Sequence, residues 1–141
     1  MLASLGNAFA QQAAAGDPLA AAAAEKGAVV TQSGLVYRAL KEGRGESPGA
    51  TDTVRVHYRG RFPDGREFDS SYSRGEPASF PLNRVIRCWT EGVQRMKVGG
   101  QAKLTCPAAI AYGERGAGGV IPPNAVLQFE VELLGVSKVG S

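Results

Sequence analysis

The chain has 141 residues and a formal net charge of +3, with basic residues scattered singly among acidic ones. That length suits one compact domain with a short appendage. No stretch approaches the ~20 apolar residues of a membrane span, and no basic stripe or cluster marks a nucleic-acid surface. The two cysteines, Cys88 and Cys106, lack metal-site spacing, and with only one histidine in the chain they argue against a zinc centre.

In chain order, residues 2–10 are short and apolar and end Ala8-Phe9-Ala10 before Gln11-Gln12. Small-x-small at that place looks like the end of a secretory signal, although the basic start of such a signal is missing. Either the numbering begins inside a longer signal or this is an alanine-rich tail. The first reading implies a periplasmic protein and the second a cytoplasmic one. Asp17-Pro18 reads as an N-cap followed by proline at the first helical position. Residues 19–26 are nearly all alanine, a strong helix former, and Gly27 stops them. A helix this short is marginal in water unless it leans on a neighbour.

From Val29 the apolar period becomes two. Residues 29–32 and 35–40 flank Ser33-Gly34 as a hairpin, and residues 43–50 form a Gly/Ser/Pro loop. Residues 53–58 alternate with Val54, Val56 and Tyr58 on one face, which turns His57 toward a solvated or hydrogen-bonded spot. Asp64-Gly65 turns the chain into Glu67-Phe68-Asp69. Residues 70–77 read as a polar loop, and residues 78–82 as a short extended piece. Residues 85–96 form the central element, a predicted helix of about three turns. Ile86, Trp89, Val93 and Met96 lie on one of its faces. Residues 97–100 turn into a strand over 101–106. A long glycine-rich loop over 107–123 carries Tyr112, and a last strand over 125–136 points Leu127, Phe129, Val131 and Leu133 inward. The expected fold is α+β, an antiparallel sheet of roughly five strands wrapped on one short helix. Two divisions follow, an N-terminal segment over residues 1–28 and a folded domain over 29–139.

No nucleophile elbow, phosphate-cradling loop or His-Glu-x-x-His motif is present. The distinctive feature is aromatic: Tyr58, Phe68, Trp89, Tyr112 and Phe129 come from different elements, each placed to face the same helix. Alone, each reads as core. Together with Asp69 beside Phe68, and Ile121-Pro122-Pro123 closing the long loop, they read as a lined cavity with Trp89 as its floor.

These motifs, in their order and spacing, carry a resemblance. Val56-His57-Tyr58, Asp64-Gly65, Phe68-Asp69-Ser70-Ser71, Val85-Ile86 with Trp89, Glu91-Gly92, Ala111-Tyr112-Gly113, Ile121-Pro122-Pro123 and Phe129-Glu130-Val131-Glu132-Leu133 resemble the FKBP-type peptidyl-prolyl cis-trans isomerases over roughly residues 29–136. The approach through Thr31-Gln32-Ser33-Gly34-Leu35 resembles the bacterial Mip-like and periplasmic branch, whose long dimerising N-terminal helix has only a stub here. The resemblance implies a half-wrapped antiparallel sheet of five to six strands around the short helix, an enzyme that needs no cofactor, and proline-containing peptides and unfolded proteins as partners. It also implies macrolides of the tacrolimus and rapamycin type as inhibitors. Carried over residue by residue, the substrate proline rests on Trp89, walled by Tyr58, Phe68, Val85, Ile86 and Phe129. The Ile86 N–H and Tyr112 hydroxyl bind substrate carbonyls, Asp69 orients Tyr58 and pairs with Arg74, Val120 and Ile121 close the rim, and Phe80 stands at the outer wall. The rival reading is a chaperone module that grips apolar or proline-containing segments without turnover. Cys88 and Cys106 both border the expected pocket, so a disulfide and two separate buried thiols both remain open.

Overall fold

A computed structural model describes residues 17–138; the signal-like stretch over residues 2–10, and residue 139 at the end of the expected domain, lie outside them. Helix α1 (Pro18–Ala23) is capped by Asp17, whose side chain accepts from the Leu19 N–H at 3.0 Å. It ends three residues before the expected Lys26. Its one buried residue is Ala22. The segment leans on the sheet through a Lys103–Glu25 ion pair at 3.2 Å and a bond from Arg38 Nε to the Lys26 carbonyl at 2.9 Å. These polar ties supply what so small an apolar face lacks.

The sheet runs β1 (Ala28–Val30), β2 (Val36–Lys41), β3 (Thr53–Arg61), β4 (Glu67–Ser70), β5 (Ala78–Pro81), β6 (Gln101–Cys106) and β7 (Leu127–Ser137). Their spatial order is β1-β2-β6-β7-β3-β4, with β5 also on β3, and every pairing is antiparallel. The sheet around a short helix is as expected, and among the described residues it has seven strands rather than five to six. The difference lies on β3: its far edge is shared end to end, residues 53–56 pairing β5 and residues 59–61 pairing β4, while the other edge pairs β7 throughout. A register shift between Arg55 and Val56 leaves Leu134 of β7 as the extra residue opposite β3. The first hairpin is also looser than Ser33-Gly34 implies, since the Thr31 N–H reaches back to the Leu35 carbonyl at 2.8 Å.

The polar stretch after Asp69 is not all loop. Ser71–Arg74 forms a single helical turn, α2, capped by Ser70, whose hydroxyl accepts from the Ser73 N–H at 3.3 Å. The turn closes on Gly75 at φ 76°, a left-handed conformation that favours glycine. After β5 a 3₁₀ turn (Leu82–Arg84) leads to the central helix α3 (Arg87–Val93). This helix is two turns long, not three. Val85 and Ile86 stay extended, and Arg95 and Met96 close three-residue turns onto the Gly92 and Val93 carbonyls. Met96 is still 3% exposed, so the apolar face read from the sequence is real although its two ends are not helical.

The core fills the space between α3 and the concave face of the sheet. Val54 and Val56 of β3, Leu104 of β6, Leu127 and Leu133 of β7, and Val93 of α3 are all fully buried. Alternation along β7 puts Leu127, Phe129, Val131 and Leu133 inward, as its period of two requires. No helix among the described residues is long and apolar enough to cross a membrane.

Candidate active site

Trp89, on the first turn of α3, is 4% exposed and lies at the centre of an aromatic cluster. Three rings stand on edge around it: Tyr58 at 5.2 Å, Phe80 at 5.5 Å and Phe129 at 5.4 Å between centroids, with interplanar angles of 87°, 87° and 89°. Edge-to-face packing sets the electropositive rim of one ring on the negative face of the next, worth about 0.5–1.5 kcal/mol per pair beyond area burial. Phe68 extends the wall from Phe129 at 5.6 Å, and Phe62 packs behind it at 5.0 Å with its ring tilted by 42°. Gly60 of β3 makes room here, since a β-carbon there would stand 2.6 Å from Phe68 Cζ and 3.0 Å from Phe129 Cε1.

The rings line an open cavity of about 490 Å³, bordered by Tyr58, Phe68, Asp69, Phe80, Arg84, Val85, Ile86, Trp89, Tyr112 and Phe129. Its size and mixed lining suit a small apolar group held by a few polar ones. Nine of these ten residues were expected at the site; Arg84 was not. Phe80 touches Trp89 directly and is an inner wall, not an outer one. Arg74 stands behind the lining and reaches it through Tyr58 and Asp69. Val120 and Ile121 are not among these lining residues: Ile121 is 6% exposed in the same core cluster as Trp89, while Val120 is exposed, and both border a neighbouring hollow with Phe62, Arg66 and Arg115.

The polar side of the cavity is a closed network. The Tyr58 hydroxyl donates to Asp69 Oδ2 at 2.5 Å, Arg74 Nη1 donates to Asp69 Oδ1 at 2.7 Å, and Arg74 Nη2 donates to the Tyr58 oxygen at 3.0 Å. The Ser70 N–H also donates to Asp69 Oδ1. Helix α2 is the reason these groups meet, because one helical turn after β4 carries Arg74 back over Asp69. Ser71, fully buried at its start, accepts from the Tyr58 N–H at 2.7 Å and meets His57 Nδ1 at 2.8 Å. His57 therefore sits in the hydrogen-bonded setting its register implied, stacked on Tyr72 at 4.5 Å.

Burial alone would raise the Asp69 pKa, but the Tyr58 and Arg74 hydrogen bonds, the Arg74 charge and the Ser70 N–H together hold it below the usual carboxylate range. Burial, then the bond to Asp69, pushes the Tyr58 hydroxyl up, so it remains a donor near neutrality. With its folded value depressed, the ionised carboxylate stabilises the fold at every pH above its unfolded pKa, about 3.9, and that contribution fades as pH falls further, through the folded value. Activity on a peptide substrate is expected to be independent of Asp69 ionisation from neutrality down to about pH 4. A decline with an inflection near pH 6 that Asp69→Asn abolishes would contradict this.

The Tyr112 loop reaches the cavity mouth under two restraints. Cys88 of α3 and Cys106 at the end of β6 are disulfide-bonded, with Cα atoms 5.8 Å apart, and Arg87 Nη2 donates to the Ala109 carbonyl at 2.8 Å. Tyr112 itself is 41% exposed. Across the mouth, the Ile86 carbonyl accepts from the Trp89 and Thr90 N–H groups, and no backbone hydrogen bond among the described residues uses the Ile86 N–H. That leaves two donors, the Tyr112 hydroxyl and the Ile86 amide, beside an apolar box.

A family model described as FKBP-type peptidyl-prolyl cis-trans isomerase matches residues 45–134. The chain is 58% identical over 120 residues to the FKBP-type peptidyl-prolyl cis-trans isomerase FkpA of Aeromonas hydrophila, covering 85% of this chain and 44% of that one. It is 53% identical over 114 residues to FkpA of Escherichia coli K12, covering 81% and 42%. The crystal structure of FkpA from Escherichia coli superposes with a TM-score of 0.84 at 46% identity, over 94% of this chain and 62% of that one. The chain thus spans less than half the length of the two curated relatives.

Proposed function

The chain belongs to the FKBP-type peptidyl-prolyl cis-trans isomerase family, and on that premise we propose that it accelerates rotation about X-Pro bonds in peptides and unfolded proteins. The observation that carries this reading is the Trp89 floor with three rings standing upright on it. Amide rotation faces a barrier of ~18–20 kcal/mol because nitrogen conjugates with the carbonyl, and X-Pro bonds isomerise unaided in tens to hundreds of seconds. At the twisted transition state that conjugation is lost and the group is less dipolar. An apolar box that replaces water therefore disfavours the planar ground state relative to the twisted one, and each ~1.4 kcal/mol of difference is tenfold in rate. Rotation transfers no proton, electron or group, so the site needs shape and fixed dipoles, not an acid or a base.

In this reading the proline ring sits on Trp89 between Tyr58, Phe80 and Phe129, with Phe68 and Val85 at its flanks. The Ile86 N–H and the Tyr112 hydroxyl hold the carbonyls on either side. Tyr58, Asp69 and Arg74 form one rigid wall. Val120 and Ile121 fall outside this first contact set. The isomerase domain is assigned to residues 29–139, with residues 17–28 packed on its edge. Macrolides of the tacrolimus and rapamycin type are the expected competitors for the cavity. The periplasm is the compartment this reading favours, because disulfides such as Cys88–Cys106 persist in oxidising surroundings. A protease-coupled assay on a short X-Pro peptide tests the proposal. Acceleration at micromolar protein, abolished by a macrolide, supports it; binding of the peptide without acceleration favours the chaperone reading and overturns it.

A further inference from the structure

We propose that Arg84 reads the charge of the residue beside the proline, so that this cavity takes an acidic neighbour in preference to a basic one. The inference rests on the isomerase reading above. Two formally charged side chains line the cavity, Asp69 and Arg84. Asp69 is saturated: one oxygen takes the Tyr58 hydroxyl and the other takes Arg74 and the Ser70 N–H. The neighbouring arginines are also engaged, Arg74 with Asp69, Arg87 with the Ala109 carbonyl and Arg66 with Asp64. Arg84 takes part in no hydrogen bond or ion pair among the described residues. It therefore carries the unbalanced charge of the wall.

Its backbone is firmly placed. Arg84 ends the 3₁₀ turn whose first residue, Leu82, is fully buried. The Leu82 N–H donates to the Asp52 carbonyl at 2.9 Å, and its carbonyl accepts from Thr90 Oγ1 at 2.5 Å. Val85 and Ile86 follow at once, so the guanidinium extends from the same wall as the Ile86 N–H that holds a substrate carbonyl. A planar guanidinium matches a carboxylate with two parallel N–H bonds. The rotating bond carries none of this charge, so the pair forms alike in ground and transition states and acts through KM rather than kcat.

The test uses the full chain and NMR exchange rates on matched peptides bearing Glu, Gln or Lys immediately before or after the proline. The readout is the Glu-to-Lys ratio of kcat/KM within each variant, so a general loss of activity cancels. In wild type this ratio is expected to be about two- to fivefold at one of the two positions, the scale of an exposed ion pair, and to shrink in 0.5 M salt. Arg84→Gln should bring it close to one and Arg84→Glu should invert it. A ratio unchanged by Arg84→Glu at both positions overturns the inference while leaving the isomerase reading intact. If wild type accelerates no peptide, the isomerase reading itself has failed and this inference fails with it.

Discussion

Phe129→Ala is expected to lower peptide isomerisation more than tenfold and to reduce stability by about 3–5 kcal/mol. Phe129 is 5% exposed on β7 and its ring is shared between two tasks. One edge meets Trp89 and another meets Phe68, so truncation removes a cavity wall and two ring contacts together. Its backbone lies between Gly60 of β3 and Leu104 of β6, at the middle of the sheet, where neighbouring elements cannot collapse into the space left. Urea denaturation and the peptide assay measure the two effects separately. Phe129→Leu, which retains most of the volume, should recover much of the stability but little of the activity. A Phe129→Ala protein that is both stable and fully active would mean the pocket lies elsewhere.

The second large effect concerns Cys88 and Cys106. Replacing both by alanine is expected to cost about 3 kcal/mol in the chain-entropy account, for two residues 18 apart in sequence. For a domain of this size that corresponds to a fall of roughly 10 °C in Tm. Both cysteines are fully buried, so a mild reductant should leave the folded protein untouched and act only once denaturant opens the core. The bond joins the turn of α3 that carries Trp89 to the strand that leads into the Tyr112 loop. Its loss should therefore lower activity as well as Tm, with the larger effect on KM as the Tyr112 donor becomes less well placed. Alkylation under denaturing conditions without reductant decides the starting point: two modified thiols in protein recovered from the periplasm would contradict the bond.

What could be read from the residues, and what could not, divides along physical lines. Strands with a buried and a solvated face announce themselves by alternation, which is why β6 and the inward set of β7 emerge directly. Tyr58, Phe68, Trp89 and Phe129 converge because each lies on the apolar face of its own element, while Tyr112 joins them from a loop. The central helix is misjudged in length because spacing reports which side chains are buried, not the backbone between them. Ile86 and Met96 reach the same face from an extended segment and a turn. Helix α2 escapes for the opposite reason: it has no apolar stripe, and its only signals are the Ser70 cap and Gly75. Arg84 offers no signal at all, since one arginine in an aperiodic stretch looks like any solvated charge until the fold sets it beside a cavity. Val120 and Ile121 were placed by resemblance, and the bridge between Ala117 and Ile121 folds that loop tip back on itself.

In the proposed function the ring-walled cavity itself catalyses X-Pro rotation. Two-dimensional NMR exchange spectroscopy on an Ala-Pro peptide observes that rotation directly, with no coupling protease. With micromolar wild-type protein, exchange cross-peaks between the cis and trans resonances are expected within a mixing time of about a second, where the uncatalysed reaction shows none. Those cross-peaks should vanish on adding a macrolide of the tacrolimus type. A folded, disulfide-bonded protein that binds the peptide yet produces no exchange cross-peaks would contradict the account.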